Sequence, residues 1–528
     1  MPKEKNILPV ELRKCSIEWL FQLERRTKIC FISSIIWAFF AHGMTFFNKY
    51  CLHDDTYLFT VGSTIRHGRW FLGIIDEVMK LFWGGVHYSL PLFNGAISAL
   101  CLAVSSCLIV SIMDLKHTGV IISLSGILCT FPMLAGLFGY MFTAPPYAVA
   151  LLMVSYACYW VCKKPSIYSY ICSILLICCT VGIYQAFYPV ATTLILIHLI
   201  IKADMSSDNN WRDFIQSAIL YLSVLFFSIA AYFIGTRISL KVTQIALTDY
   251  LGIKTMGQEG ISAYIERVIY AYRYFINPLK LSDGLLDSMF PLNIIYFYRL
   301  GLLMMLLLCI FKVTKKFRSC KKGAIQLLLL MACIPLSINF VFVMCDPRTV
   351  HSLMVYGQVF FFVFLAWLAD SILSSKKYVK PVLCLICSIL LFLTSLSYAR
   401  YDNIVYLKEE FAQTSAISYF TTLITQIKST DGYKDDYPVI YLNAGAKSDK
   451  NVLEMKQWTE IRMLPVVGSV KDVINDYSWL RFINHWCAFH PVYEDASLVE
   501  NLPEVKDMPS YPDDGSIKVI NEMVVVKF

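Results

Sequence analysis

Long apolar segments separated by short polar loops recur along the first 400 residues of this chain. Segments of this length and composition are typical of transmembrane helices, and the pattern predicts about eleven of them. Their approximate ranges are 29–47, 88–112, 119–138, 146–162, 167–183, 187–201, 214–234, 292–311, 323–343, 352–372 and 381–397. The sequence therefore predicts a polytopic α-helical membrane protein.

Basic residues between these segments predict their orientation. The N-terminal segment 1–28 is polar and basic, and the loop 312–322 holds six basic residues and no acid. Because Lys and Arg favour the cytoplasmic side of a membrane, we predict a cytoplasmic N-terminus. The same alternation places two long loops, 48–87 and 235–290, on the external side. The second of these is too polar to span and is predicted to form a long loop.

The last quarter of the chain has a different character. From residue 400 onward, 19 Asp and Glu stand against 13 Lys and Arg. Its patterns predict helices at Glu409–Lys428 and Asp476–Phe489, and strands at Pro438–Leu442 and Met523–Phe528. We therefore predict a small soluble α/β domain over residues 400–528 on the external side. Its expected role is packing or docking over the membrane part, without a catalytic residue.

Composition agrees with a membrane protein and argues against a nucleic-acid partner. The chain is 57% hydrophobic and only 16% charged, whereas soluble proteins carry about 25% charge. The formal net charge of +8 comes from short loops between apolar segments, and no RNA- or DNA-binding motif is visible. No C-x-x-C pair has a second ligand pair, so a zinc site is not predicted.

The first external loop contains the strongest candidate chemistry. Its stretch His53–Trp70 reads HDDTYLFTVGSTIRHGRW and predicts an amphipathic helix on the membrane surface, with acids at its start and cations at its end. Asp54 or Asp55 is the candidate base that takes a proton from an attacking hydroxyl. The alternative for either carboxylate is a helix N-cap. An adjacent Asp pair can also bind a divalent cation, but no third ligand is identifiable, so no metal is assigned.

Arginines near the external surface are candidates to hold a lipid phosphate. Arg66, Arg69 and Arg348 present the bidentate fork that suits a phosphate leaving group. The alternatives are contacts with membrane lipid phosphates and, for Arg348, a pair with Asp346. A carboxylate and such cations beside a bilayer suit a sugar transferase that uses a lipid-linked donor.

Three further side chains are candidates to bind sugar by stacking and hydrogen bonding. These are Trp70, Tyr184 and Gln185, which lie at the predicted external surface. Trp70 has an alternative place in an interfacial aromatic belt. Gln185 has an alternative role in satisfying turn backbone. The site is predicted to form where these loops converge.

Four short motifs resemble one family. They are N-K-Y-x-x-x-D-D at 48–55, G-R-W at 68–70, Y-Q at 184–185 and D-P-R at 346–348. Together with the length and the number of spans, they resemble the Gtr-type glucosyl transferases. These are serotype-converting membrane proteins, often phage-encoded, that decorate bacterial O-antigen.

The resemblance implies a fold and an activity. The fold is that of the GT-C class, over a membrane domain at 29–399, with residues 400–528 in the periplasm. The activity is transfer of glucose from undecaprenyl-phosphate-glucose to an O-antigen sugar of lipopolysaccharide, at the periplasmic face of the bacterial inner membrane. The family's catalytic acid falls on Asp54 or Asp55, and a single displacement would invert the donor's anomeric centre.

Two other functions remain as alternatives. An O-antigen polymerase or ligase also works at the external face with long Arg-rich loops. A lipid-linked sugar flippase is less favoured, because transporters usually carry ionisable residues within their spans and often show inverted repeats. The spans here are almost free of ionisable residues, and we see no repeat.

Overall fold

The computed structural model describes residues 24–50, 55, 64–85, 88–249, 259–278, 292–371, 379–443 and 479–528. This part of the chain is mostly helical. The first eight helices are α1 Arg25–Phe47, α2 Trp70–Trp83, α3 Pro91–Met113, α4 Thr118–Thr130, α5 Met133–Phe138, α6 Ala144–Lys163, α7 Ile167–Ile183 and α8 Tyr188–Met205. The next eight are α9 Trp211–Thr243, α10 Ile261–Ile276, α11 Leu292–Ser319, α12 Lys321–Ala332, α13 Ile334–Ile338, α14 Val341–Met344, α15 Val359–Ser371 and α16 Val379–Ser429.

The helices agree with a polytopic membrane protein. Within the described ranges, eight are long and apolar enough to cross a membrane. Three shorter apolar helices, Thr118–Thr130, Ile167–Ile183 and Tyr356–Ser371, occupy the positions of the remaining predicted spans. Eight candidate spans therefore support the predicted fold class, whereas the count of eleven stays a prediction.

One predicted span, 119–138, is interrupted by proline. Helix α4 ends at Thr130, and Phe131 is extended with φ −63° and ψ 130°. Pro132 follows, and a residue before proline is pushed out of the helical region. The short helix α5 then begins at Met133. Phe131 and all of α5 are buried, so this non-helical backbone lies inside the protein, as it must at membrane depth.

The predicted long loop 235–290 contains helix among its described residues. Helix α9 continues to Thr243, and α10 packs through its buried side chains Ala271, Tyr274 and Phe275. The external position of this segment stays a prediction. The helix expected across His53–Trp70 is wrong as a continuous element. Residues 66–68 form a turn with Gly68 at φ 72°, and regular helix begins at Trp70. Residues 56–63 lie outside the described part of the chain.

The helices form one packed bundle. Helix α1 packs against α3, α4 and α16, and a second series of contacts runs from α3 to α6, α7 and α9. Helix α8 packs against α12 and α13, and α15 packs against α11 and α16. Their apolar faces share one continuous core that includes Phe46, Phe131, Phe138 and Tyr356. The amphipathic helix α2 lies against α7, where it borders the candidate site.

Helix α16 is the longest element, with 51 residues from Val379 to Ser429. At 1.5 Å per residue it is roughly 76 Å long, more than twice the ~30 Å hydrocarbon core of a bilayer. Its apolar first half therefore suffices for a span, and its second half extends beyond the membrane. The predicted domain boundary at residue 400 falls inside this helix, so the expected division at that point stays a prediction.

The C-terminal segment contains a small mixed sheet. Its strands are β1 Val439–Leu442, β2 Ile517–Ile520 and β3 Met523–Lys527, in the order β1-β3-β2. Strand β3 pairs parallel with β1 and antiparallel with β2. One sheet face packs on the end of α16 and on α17, Trp479–Trp486; a short helix α18, Pro503–Lys506, adjoins the other face. Strands β1 and β3 coincide with the two predicted from sequence, whereas β2 was not predicted. The external location of the segment stays a prediction.

Candidate active site

Asp55 lies in a buried pocket, which we call the acid pocket, formed with Lys49, Tyr50, Ser89 and Glu409. Its side chain is only 1% exposed. Oδ2 accepts a hydrogen bond from the Lys49 ammonium, and Oδ1 accepts one from Ser89 Oγ at 2.7 Å. The backbone N–H of Phe142 donates to Oδ1 at 3.4 Å. Asp54, the other candidate base, lies outside the described residues.

These contacts leave Asp55 with capacity for a ligand. An ionised carboxylate has about four acceptor positions, and the described residues fill three of them. The Lys49 ammonium has three donors, and it also reaches Ser89 Oγ at 3.1 Å and the Tyr50 carbonyl at 3.3 Å. Lys49 therefore balances the charge of Asp55 without occupying its last acceptor position. This arrangement favours the ionised carboxylate that a general base requires.

The second half of α16 contacts the segment that carries Lys49 and Tyr50 of the acid pocket. Gln413 donates its side-chain amide to the Lys49 carbonyl at 3.1 Å. Glu409, one turn earlier on α16, lines the pocket itself. The C-terminal third of the chain thus contributes directly to the surroundings of Asp55, which the sequence did not predict.

Arg69 forms the second part of the site with two tyrosines, a group we call the arginine–tyrosine stack. Arg69 Nη1 donates to the Tyr147 hydroxyl at 3.0 Å, and its guanidinium carbon lies 5.2 Å from the centre of the Tyr184 ring. The two tyrosine rings are stacked, with centres 4.7 Å apart and planes at 17°. A cation above an aromatic face is stabilised in the charged form. The stack therefore fixes a permanent positive charge beside the first turn of α6 and the C-terminal end of α7.

Gln185 and Thr248 hold the turn that carries Arg66 and Arg69. Gln185 Nε2 donates to the His67 carbonyl at 2.9 Å and to the Tyr232 hydroxyl at 3.1 Å. Thr248 donates from its backbone N–H and its hydroxyl to the Arg66 carbonyl, at 3.0 and 3.1 Å. Gln185 thus takes the alternative role anticipated from sequence, the satisfaction of turn backbone. Three of the external segments expected to converge do so at this turn.

Trp70 is packed between helices. A Cβ on Gly182 of α7 would come within 2.9 Å of its ring, and one on Gly235 of α9 within 2.7 Å. The indole therefore lies against two glycine backbones, which serves packing rather than stacking on a sugar. Its position as the first residue of α2 fixes the orientation of the neighbouring Arg69.

One short connection joins the two parts of the site. Phe142, which donates to Asp55, and Tyr147, which accepts from Arg69, are five residues apart in the α5–α6 connection and the first turn of α6. Five residues span at most about 18 Å even when fully extended. The carboxylate and the guanidinium therefore lie at the same end of the bundle, on either side of this connection.

His67 lies between the two arginines of the turn. Burial, followed by the positive charges of Arg69 and Arg66, lowers its pKa to about 4. The imidazole is therefore neutral at neutral pH and adds no positive charge beside the arginine–tyrosine stack.

Arg348 lies apart from these groups in its described contacts. Its side chain is 81% exposed and forms a bidentate pair with Asp346, with the shortest N···O distance at 2.7 Å. The Arg348 guanidinium lowers the pKa of Asp346, whose carboxylate also caps the turn at Pro347. The alternative anticipated from sequence, a local Asp346–Arg348 pair, is what the structure contains.

Sequence reasoning did not assign a role to Lys49, Tyr147 or Glu409. The sequence does contain a feature that could have indicated Lys49, because Lys49 precedes Asp55 within the N-K-Y-x-x-x-D-D motif. No such feature indicates Glu409, because it belongs to a charged run, Lys408–Glu410, that is typical of a solvated surface. Among the described residues, no three His, Cys, Asp or Glu side chains are grouped so that they would hold a metal ion.

Comparison with known proteins identifies the family. A family model described as glucosyl transferase GtrII matches residues 43–362, more than half of the chain. The matched segment includes Asp55, the arginine–tyrosine stack and Arg348, whereas Glu409 lies beyond it. No curated protein and no solved structure matches the chain. The resemblance seen in the motifs is confirmed, and the chain belongs to the GtrII glucosyl transferase family of membrane-embedded glycosyltransferases.

Proposed function

We propose that this glucosyltransferase moves glucose from undecaprenyl-phosphate-glucose to an O-antigen sugar at the periplasmic face of the inner membrane. Membership of the family supports a glucosyltransferase in O-antigen modification. The observation that carries the mechanism is the juxtaposition of a lysine-paired carboxylate and a stacked arginine at one end of a membrane bundle. A lipid phosphate sits at this level, and the acceptor arrives from water.

Asp55 is the proposed base. It takes the proton of the acceptor hydroxyl as that oxygen forms a bond to the anomeric carbon of glucose. The bond from this carbon to the phosphate oxygen breaks, and its electron pair leaves with undecaprenyl phosphate. Attack and departure on opposite sides invert the anomeric centre. Asp54 remains the alternative base, as it was from the sequence.

Arg69 is the proposed ligand of the departing phosphate, with Arg66 beside it. A guanidinium forms paired hydrogen bonds with phosphate oxygens and neutralises the charge that grows as the bond breaks. Tyr147 and Tyr184 position Arg69, and Gln185 positions the turn, so these groups act through the arginine rather than on the sugar. Arg348 would have to leave Asp346 before it took part.

A transfer assay in membranes tests this proposal. Wild type, Asp54→Asn and Asp55→Asn would receive polyprenyl-phosphate-glucose and lipopolysaccharide at matched expression. Glu77→Gln is a matched control, because Glu77 is an exposed carboxylate on α2 that pairs with Lys80 at 3.1 Å. We expect Asp55→Asn to lower the rate by at least about 100-fold, within the range for loss of a general base.

Other outcomes would change the assignment. Loss of transfer in Asp54→Asn alone would move the base to Asp54. Full transfer by both Asn variants would exclude a base in this pair. Transfer supported by a nucleotide-linked glucose in place of the lipid-linked donor would refute the proposed donor.

A further inference from the structure

Glu409 is a buried carboxylate that the mechanism above does not use. It is 1% exposed, and neither of its oxygens has a hydrogen-bond partner among the described residues. Its neighbour Glu410 is exposed. A carboxylate removed from water without partners is unfavourable in free energy. Such groups persist where a ligand supplies the missing donors, so the surroundings of Glu409 deserve a functional explanation.

Glu409 faces the same small pocket as Asp55. The pocket is also lined by Lys49 and Tyr50, and the Tyr50 hydroxyl is buried without a partner among the described residues. The donors of Lys49 are directed to Asp55, Ser89 and the Tyr50 carbonyl. Two groups in the pocket, a carboxylate and a phenol, are thus available to a ligand beside the proposed base.

The chemistry of these two groups selects one class of ligand. A phosphate would be repelled by the neighbouring Asp55 carboxylate, and an apolar group would leave Glu409 and Tyr50 unsatisfied. A sugar hydroxyl donates one hydrogen bond and accepts others, which matches a carboxylate beside a phenol. The pocket is small, with a volume of about 10 Å³, so hydroxyl groups can enter it and a whole sugar ring cannot.

We propose that Glu409 and Tyr50 form a subsite for a hydroxyl of the acceptor sugar, next to the hydroxyl that attacks. This inference rests on the proposed function. Glu409 accepts a hydrogen bond from the neighbouring hydroxyl, and Tyr50 donates to its oxygen. The acceptor is thereby oriented so that its attacking hydroxyl meets Asp55. The subsite determines which acceptor is used and takes no part in bond breaking.

Binding and kinetics together test the subsite. O-antigen polysaccharide, freed from its lipid, would be titrated against the purified full-length protein in detergent. Glu409→Gln and Tyr50→Phe would be compared with wild type and with Glu410→Gln, an adjacent exposed control with the same substitution. In membranes, KM would be measured separately for the acceptor and for polyprenyl-phosphate-glucose.

We expect Glu409→Gln to weaken polysaccharide binding and to raise the acceptor KM by about tenfold, because a hydrogen bond to the buried Glu409 carboxyl group is lost. The donor KM and the unfolding temperature should stay close to those of wild type, and Glu410→Gln should match wild type throughout. A structural role would instead lower the unfolding temperature and leave the acceptor KM unchanged.

The outcomes separate this inference from the proposed function. Wild-type transfer with unchanged acceptor KM in Glu409→Gln overturns the subsite and leaves the function standing. Polysaccharide binding that Glu409→Gln abolishes supports the subsite even where the donor assignment fails. Wild-type protein that neither binds the polysaccharide nor transfers glucose overturns both.

Discussion

Substitution of Gly235 by alanine tests whether the packing of Trp70 controls the site. The new Cβ would lie 2.7 Å from the Trp70 ring, whereas ordinary contacts begin at 3.4 Å, so the ring must move by at least about 0.7 Å. Trp70 directly follows Arg69, whose guanidinium lies on Tyr184. Movement of the indole is therefore expected to displace the arginine from its stack.

The expected magnitude combines two opposing terms. Overpacking costs about 1–3 kcal/mol, and replacing glycine by alanine within a helix stabilises by up to about 1 kcal/mol. The net loss of stability for Gly235→Ala is then about 0–3 kcal/mol. Transfer is more sensitive, because a displacement near 1 Å at a reacting site costs on the order of 100-fold in rate. We expect a reduction of roughly 10- to 100-fold.

Gly43→Ala is the matched control, since it lies within helix α1 and its added Cβ meets nothing within 4 Å. Both variants would be assayed for glucose transfer in membranes and for thermal unfolding in detergent. Trp70→Phe removes the ring atoms that a Cβ on Gly235 would contact. The double variant Gly235→Ala/Trp70→Phe should therefore keep a higher relative transfer rate than the product of the relative rates of the two single variants. Equal transfer by Gly235→Ala and Gly43→Ala would refute the reasoning.

Three further predictions follow from the charges of the site. Lys49→Met should destabilise the protein by up to about 3–5 kcal/mol, because it leaves the buried Asp55 carboxylate uncompensated, and adding Asp55→Asn should restore part of this loss in thermal unfolding. The pKa of His67 is lowered to about 4 in the folded state, below about 6.5 in the unfolded chain, so the unfolded state binds more protons between these values. Stability should therefore fall as pH decreases from 6.5 towards 4, and His67→Gln should reduce that slope; an unchanged slope would contradict the lowered pKa. Arg348→Ala should change the transfer rate by less than about threefold, because exposed ion pairs contribute little. Arg69→Ala should instead raise the donor KM at least about tenfold. Similar losses in the two variants would place Arg348 at the phosphate.

The sequence alone determined the membrane class and named the segments that hold the candidate site. Runs of apolar residues long enough to span a bilayer are a local property, because each span must satisfy its own backbone hydrogen bonds. The short motifs at Asp55, Arg69 and Tyr184 likewise placed candidate chemistry in external segments, and the family match agrees with their resemblance. Interruptions such as the one before Pro132 also had a local signal, which the predicted span did not take into account.

Only the tertiary structure decided what each of these side chains contacts. Lys49 pairs with Asp55, Gln185 supports a turn far away in sequence, and Trp70 fills a gap between two glycines. The expectation and the structure differ most for Glu409. Its charged run indicates a solvated surface, whereas the structure buries its carboxyl group in the acid pocket. Lys49 and Asp55 are six positions apart, whereas the contacts of Gln185 with its turn and of Trp70 with the glycines join residues more than a hundred positions apart. The energies of all these contacts depend on burial and partner geometry. No local sequence pattern encodes this burial, because a glutamate in a charged run is equally compatible with a solvent-exposed position. Glu409 lines the acid pocket only because the long helix α16 packs against α1.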